Sequence, residues 1–224
     1  MKVLELFAGT RSIGKAFEAR GHKVYSVDWN IDFQSTLFDW ANGVNPMLRA
    51  DIGKMTKEDV IQFCGGLPDV VWASPDCATY SVAALSCHRK FIDGRLEPQT
   101  DYAKFCDKTN AHLIDLIREL NPRLYFLENP RACLRKMDFM QGLPRHTVTY
   151  CQYGDKRQKP TDIWTNHPEP NFKPPCGAGA SCHEAAPRGS KTGTQGMKGA
   201  KERGVIPAAL CNHIVDICEG RLRV

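Results

Sequence analysis

From Lys2 to about residue 150 the chain alternates short apolar strands with amphipathic helices through brief loops, and few folds accept that alternation. Lys2 to Phe7 reads as a strand and Ile13 to Arg20 as a helix ended by Gly21, while His22 to Val27 is a second strand closed by Asp28. A short third strand precedes Asp51, Lys57 to Phe63 is a helix stopped by Gly65-Gly66, and Asp69 to Ala73 is a fourth strand. Asn110 to Leu120 carries Leu113, Ile114, Leu116, Ile117 and Leu120 as a helical stripe. Asn121-Pro122 breaks that helix, Arg123 to Leu127 is a fifth strand, and Thr147 to Cys151 and Asp162 to Thr165 are further strands. The pattern predicts an α/β fold, a doubly wound and mainly parallel sheet with helices on both faces.

Composition shifts near residue 166. Residues 166–203 are rich in Pro, Gly, Ser and Thr, hold six Lys/Arg against three Asp/Glu, and contain few aliphatic side chains. They predict a small irregular basic lobe, not a second hydrophobic domain. A helix from Pro207 to Cys218, with Leu210, Ile214, Val215 and Ile217 on its apolar face, then returns to the main domain. The expected division is a catalytic domain of residues 1–165 plus 204–224 with the lobe inserted.

No apolar run approaches the ~20 residues of a membrane span, and MKVLELFAG leads straight into a strand. The expectation is a cytoplasmic monomer with no membrane partner. Ten cysteines in a reducing compartment point to catalytic, metal-binding or core thiols ahead of disulfides. A net charge of +5 permits a polyanionic partner.

The first strand ends in Phe7-Ala8-Gly9 and turns through Thr10-Arg11-Ser12 into a helix containing Gly14. Such a turn lets backbone approach a ligand, and the helix start offers amides to a carboxylate. Asp28 ends the second strand, where an acid holds ribose hydroxyls, and Asp51 follows the third, within reach of an adenine amine. The combination predicts a nucleoside cofactor. The absence of G-x-G-x-x-G argues against a dinucleotide.

In SPDCATYS, Cys77 follows the buried strand Val70 to Ala73, at the sheet edge where open α/β folds do chemistry. Glu128, in LENP, follows the fifth strand on the same edge. Taken alone, Cys77 also suits an inert core thiol, and Glu128 a capping or ion-paired acid. Taken together, they can act on a pyrimidine: a thiolate adds to ring carbon 6 while the carboxyl hydrogen-bonds ring nitrogen 3 and the exocyclic amine. Carbon 5 then attacks an electrophilic methyl.

These segments, in their order, resemble the S-adenosylmethionine-dependent cytosine carbon-5 DNA methyltransferases, which have a Rossmann-like fold. LELFAGTRSIGKAF is similar to the family's cofactor motif, SPDCATYS to its nucleophile motif with Cys77 and Ser81 in place, and LENP to its glutamate-asparagine motif. YGDKRQKPTDIW is similar to the basic strand that seats the base, and RGVIPAALCNHI to the last motif. The resemblance covers residues 1–165 and 203–218. It implies DNA as partner, with Cys77, Glu128, Arg157 and Lys159 as catalytic residues. It further implies S-adenosyl-L-methionine held by Phe7, Ala8, Gly9, Thr10, Arg11, Ser12, Ile13, Asp28, Trp29, Asp51, Ile52 and Pro75. One branch of the family acts on transfer RNA, and a non-catalytic nucleic-acid-binding relative is a third reading; retention of Cys77 and Glu128 counts against the latter.

Three departures stand out. Arg11 and Ser12 replace two glycines, so Arg11 is a candidate partner for the cofactor carboxylate. Asp76 replaces a proline before the nucleophile and works against thiolate formation unless Arg157 or Lys159 offsets it. Arg157, Lys159 and Thr161 stand where the family has glutamine, arginine and arginine.

Residues 82–109 read as a long polar connection bearing Arg89, Lys90, Arg95, Lys104 and Lys108, either a lid over an extruded base or a solvated loop. In the lobe, Lys173, Arg188, Lys191, Lys198 and Lys201 are candidates for phosphate contacts, and its small size predicts a short recognition sequence. His167, Cys176, Cys182 and His183 meet the ligand count of a structural zinc site, although Cys-x5-Cys-His is not a standard knuckle and ordinary loop thiols are the alternative.

Overall fold

The computed structural model describes residues 1–30, 45–177, 179–184 and 199–221. Arg188, Lys191, Lys198 and the Lys201 side chain, named above for phosphate contacts, lie outside that description. The strands are β1 (Lys2–Leu6), β2 (Lys23–Asp28), β3 (Met47–Arg49), β4 (Val70–Ala73), β5 (Arg89–Ile92), β6 (Arg95–Pro98), β7 (Leu124–Pro130), β8 (Arg145–Thr149) and β9 (Pro160–Thr165). The helices are α1 (Ser12–Ala19), α2 (Lys57–Cys64), α3 (Leu85–His88), α4 (Asp101–Leu120), α5 (Ala200–Gly204) and α6 (Ala208–Cys218).

Seven strands form one sheet in the order β3-β2-β1-β4-β7-β9-β8, parallel except that β9 runs antiparallel to both neighbours. Alternation along the buried strands divides the core in two. Val3, Val70, Trp72 and Phe126 face α1 and α6, while Leu4, Val71, Ala73 and Leu127 face α2 and α4. Arg20 ties α1 to α6 through Asp216 (3.0 Å) and Glu219 (2.9 Å). This is the doubly wound sheet that the alternation predicts. Among the described residues no helix is long and apolar enough to cross a membrane.

Local chemistry sets the helix ends. Thr56 and Asp59 form a reciprocal capping box at the start of α2, and Gly65 closes it at φ 62°. Thr100 caps α4 by accepting from the Ala103 amide, and Asn121 ends it in the left-handed region ahead of Pro122. Gly14 has a different task from the ligand approach its motif suggests: a Cβ there would overlap the carboxylate of Glu5. Glu5 is buried in mid-strand, accepting from the Gly14 amide (2.8 Å) and from Ser26 Oγ (2.8 Å). Burial pushes its carboxyl up to about 6 despite those bonds.

Two stretches differ from the sequence expectation. Residues 82–109 are not a long open connection; they hold α3, the β5–β6 hairpin and the first turns of α4. The hairpin turns at Asp93-Gly94, both at positive φ (49° and 80°), the signature of a tight two-residue turn. Helix α4 begins at Asp101, not Asn110, because the buried face of its first half is Ala103, Cys106 and Thr109. Small and polar side chains there leave no hydrophobic period to read. Strand β7 runs on through Asn129 because β9 pairs with it, Glu128 opposite Ile163 and Asn129 opposite Asp162. Glu128 therefore sits inside a strand, not after one.

Candidate active site

The register sets the carboxyl ends of three parallel strands side by side, with Leu6 beside Ala73 and Ala73 beside Leu127. The Phe7–Ser12 turn, the Ser74–Cys77 segment and Glu128 all leave from that edge. Phe7, Gly9 and Arg11 adopt left-handed φ of 53°, 48° and 55°, so the chain curls into a concave backbone. The amides of Ser12 and Ile13 at the start of α1 have no acceptor among the described residues. Asp28 accepts from the Gly9 amide (2.9 Å) and the Asn30 amide (2.9 Å), which fixes its carboxylate beside the turn. Asp51 caps a single 3₁₀ turn, Ile52–Lys54, by accepting from Gly53. Trp29 is 67% exposed, with its ring centroid 6.4 Å from that of Phe105.

The Arg11 guanidinium is taken up within the protein. Its guanidinium pairs with Glu18, donates to Ser26 Oγ (3.0 Å) and lies 3.8 Å from Glu5. The Glu5–Ser26–Arg11 set thus braces the turn from behind, and its backbone is left for the ligand.

Cys77 opens a 3₁₀ turn, Ala78–Tyr80, and its carbonyl accepts from Ser81 (3.0 Å). Burial pushes its thiol above the ordinary value, and the charges of Asp76 and Glu128 push the same way, while Lys159 opposes them. The Asp76 carboxylate is engaged by the Tyr102 hydroxyl and the Ala78 amide (2.6 Å). Asn129 donates to the Pro75 carbonyl (2.8 Å), fastening the cysteine loop to β7. Its Oδ1 is a buried oxygen with no partner among the described residues. Buried Tyr150 donates to Glu128 Oε1 (3.1 Å).

Lys159 stands at φ 27°, a left-handed bend just before β9. The bend returns its ammonium over the Tyr150 ring (4.5 Å), where it donates to the Arg203 carbonyl (3.0 Å). Burial lowers its pKa, and the Glu128 carboxylate is the first of the charges that pull it back up. Arg157 is arranged otherwise. Its guanidinium is paired with Asp155 and donates to the carbonyls of Arg203 (3.2 Å) and Val205 (3.1 Å), 5.6 Å from the centre of the Tyr150 ring. Thr161 is buried and donates to the Lys159 carbonyl (3.1 Å).

Cys77, Glu128 and Lys159 thus lie close enough to feel one another's charge, while the Arg157 guanidinium is taken up by Asp155 and two backbone carbonyls. Sequence reading passed over Tyr150 and Tyr102, which anchor Glu128 and Asp76. It also passed over the buried network beneath the cysteine loop. There Arg89, 2% exposed, binds Asp107 through both terminal nitrogens (2.9 and 2.7 Å) and donates to the Thr79 carbonyl (2.8 Å). Tyr80 donates to the same carboxylate (2.7 Å). No local motif marks these pairs, since their members lie 18 and 27 residues apart.

The thiol cluster of the lobe also differs from expectation. Cys176, Cys182 and His183 come together, but the fourth member is Cys151, in the 3₁₀ turn Tyr150–Tyr153 that follows β8, not His167. His167 accepts from the Glu169 amide (3.2 Å) instead.

No family model matches the chain. It is 26% identical over 234 residues, covering 97% of this chain and 100% of the relative, to a Frog virus 3 (isolate Goorha) protein named "Probable DNA (cytosine-5)-methyltransferase". Two solved structures share the fold. The S. pombe Dnmt2 methyltransferase matches at TM-score 0.50 and 13% identity over 74% of this chain and 48% of its own. The Entamoeba histolytica methyltransferase EhMeth matches at TM-score 0.51 and 12% identity over 74% of this chain and 52% of its own. The chain thus spans about half the length of those two proteins.

Proposed function

We propose that this chain, a member of the S-adenosylmethionine-dependent cytosine carbon-5 methyltransferase family, methylates carbon 5 of cytosine in DNA through a covalent adduct with Cys77. The observation that carries this reading is the joint placement of Cys77, Glu128 and Lys159 on the sheet edge that also bears the Phe7–Ser12 turn. The family makes the substrate a nucleic acid, and the name of the viral relative favours DNA over RNA.

The residues present fit the cofactor. The curled turn and the acceptor-free amides of Ser12 and Ile13 suit its carboxylate, Asp28 suits the ribose hydroxyls, and Trp29, Asp51 and Ile52 suit the adenine. Pro75 borders the same edge. S-adenosylmethionine, when bound, supplies an electrophilic methyl group. The protein's own task is to make carbon 5 nucleophilic. The Cys77 thiolate adds to carbon 6, and Glu128, steadied by Tyr150, hydrogen-bonds nitrogen 3 and the exocyclic amine as charge builds in the ring. Lys159 balances the negative charge that Asp76 and Glu128 place around the sulfur. Once carbon 5 carries the methyl group, its proton passes to solvent and the electron pair left behind expels the thiolate from carbon 6.

Extruding a base leaves a gap in the duplex. The β5–β6 hairpin, fastened to the cysteine loop through Arg89, carries exposed Phe91 (61%) and Ile92 just before its Asp93-Gly94 turn, between Lys90 and Arg95. Exposed apolar side chains flanked by basic ones suit a wedge that fills such a gap.

Two measurements test the reading. Asp28→Ala weakens S-adenosylmethionine binding by about 1–3 kcal/mol in calorimetry, the range for lost charged hydrogen bonds; unchanged affinity would place the ribose elsewhere. Duplex DNA carrying 5-fluorocytosine traps a covalent adduct in the presence of cofactor, because fluorine does not leave as a proton does, and matched RNA traps none. An adduct with RNA alone overturns the DNA assignment. No adduct with either, from a preparation that methylates cytosine, overturns the covalent route.

A further inference from the structure

We infer that Cys151, Cys176, Cys182 and His183 form a structural zinc site that clamps the basic lobe onto the segment positioning Tyr150 and Lys159. The three Sγ atoms and a ring nitrogen of His183 all lie within 4.8 Å of one another. Cys151 Sγ is 3.2 Å from Cys176 Sγ and 3.5 Å from Cys182 Sγ, and His183 Nδ1 is 3.7 Å from both Cys176 Sγ and Cys182 Sγ. A tetrahedron with Zn–S of about 2.3 Å and Zn–N of about 2.0 Å has edges of roughly 3.8 Å between sulfurs and roughly 3.6 Å from sulfur to nitrogen. Four of its six edges are matched closely by the 3.2, 3.5, 3.7 and 3.7 Å separations, and the other two are no longer than 4.8 Å. The sulfurs stand well beyond the ~2.05 Å of a disulfide, and all three cysteines are free. Three thiolates and one imidazole are a soft donor set that suits zinc and disfavours magnesium or calcium.

The surroundings are those of a metal site's outer layer. Gln158 Nε2 approaches Cys176 Sγ (3.4 Å) and Gln152 Nε2 approaches Cys182 Sγ (3.5 Å), N–H donors that temper thiolate charge. The Cys176 amide donates to Thr149 Oγ1 (3.0 Å) and the Glu184 amide to the Lys156 carbonyl (2.9 Å). The lobe also needs a crosslink. Between His167 and Glu184 its one large apolar side chain is Phe172, too little to hold a fold by burial.

The position gives the clamp a purpose. Cys151 follows Tyr150, the partner of Glu128, and Gln158 precedes Lys159. The Tyr150 amide and the Gln158 carbonyl are bonded at 2.9 Å, so the loop between them is closed on one side by backbone and on the other by the four donors. Cys151 comes from the 3₁₀ turn after β8 and the other three ligands from the lobe, so a bound ion joins two segments at least 25 residues apart.

The test reads metal, not methylation, and so stands apart from the proposed reaction. Full-length protein purified without chelators contains about one zinc per chain by elemental analysis, as a structural site requires. After exchange with cobalt(II) it shows the thiolate charge-transfer and strong visible bands of a tetrahedral site. Cys176→Ser and Cys182→Ser each lower metal content several-fold, while His167→Ala leaves it unchanged. Chelation of the wild-type protein exposes the lobe to limited proteolysis, which keeps the test open if a serine variant fails to fold. A wild-type protein with no zinc and no cobalt bands overturns the inference. So does zinc retained in full by Cys176→Ser and Cys182→Ser, or zinc lost on His167→Ala.

Discussion

Cys77→Ser lowers methyl transfer by about 10⁴-fold or more, the scale on which removal of a nucleophile acts, while S-adenosylmethionine binding is unchanged. The reason lies in the ionisation the step requires. A thiol of ordinary pKa ~8.5 supplies a few per cent thiolate at neutral pH, and a serine hydroxyl supplies essentially none. Here burial, Asp76 and Glu128 all push the Cys77 thiol higher, and Lys159 is the charge that opposes them. A raised pKa leaves a smaller thiolate fraction at neutral pH, so the rate climbs with pH above 7. The limit on that climb is Lys159, whose own pKa burial depresses; once it is neutral, its help to the thiolate is gone. Lys159→Met therefore lowers the rate at pH 7 by roughly tenfold, the effect of about one pKa unit, and moves the rising limb to higher pH. A Cys77→Ser enzyme with measurable turnover ends the nucleophile assignment. A Lys159→Met profile that falls without shifting makes that residue a packing element alone.

Asp107→Ala destabilises the fold by about 3–5 kcal/mol, the effect of stripping one partner from a buried charge pair. Arg89 is almost wholly buried and gives both terminal nitrogens to this carboxylate, while its Nε holds the Thr79 carbonyl two residues beyond Cys77. Without Asp107 the guanidinium is left with Thr79 and the face of the Tyr80 ring (4.2 Å to the centroid). Tyr80 keeps Asn110 (3.0 Å) and loses its acceptor. Replacing both partners, Arg89→Met with Asp107→Leu, restores most of the stability because no charge remains buried. Urea unfolding measures both variants. A loss below about 1 kcal/mol for Asp107→Ala, the value of an exposed pair, would mean that Arg89 is solvated in solution. Since Thr79 and Tyr80 belong to the turn that Cys77 opens, the single variant also loses activity in proportion to the loosened loop.

The sequence by itself determined the sheet, the order of its chemical segments and the cysteine and glutamate proposed to act at its edge. Buried parallel strands are continuous apolar runs, so Val70 to Ala73 and Leu124 to Leu127 announce themselves, and with them the edge that Cys77 and Glu128 share. Capping chemistry is equally local, as Thr56 and Asn121 show. What the tertiary structure alone decided is which polar groups meet across long separations. Arg11 carries the same charge in any fold, but here Glu5, Ser26 and Glu18 claim its guanidinium. Arg157 and Lys159 are two residues apart on one basic stretch, yet Asp155 claims the first and leaves the second near Cys77. Cys151 reads as the end of a strand and becomes the partner of Cys176 only when β8 pairs with β9 at the edge of the sheet and the turn after it meets the lobe. Hydrophobic periodicity is written along the chain because each residue meets water or core by its own position. Hydrogen bonds and charge pairs depend on two positions at once, and the second is supplied by the fold.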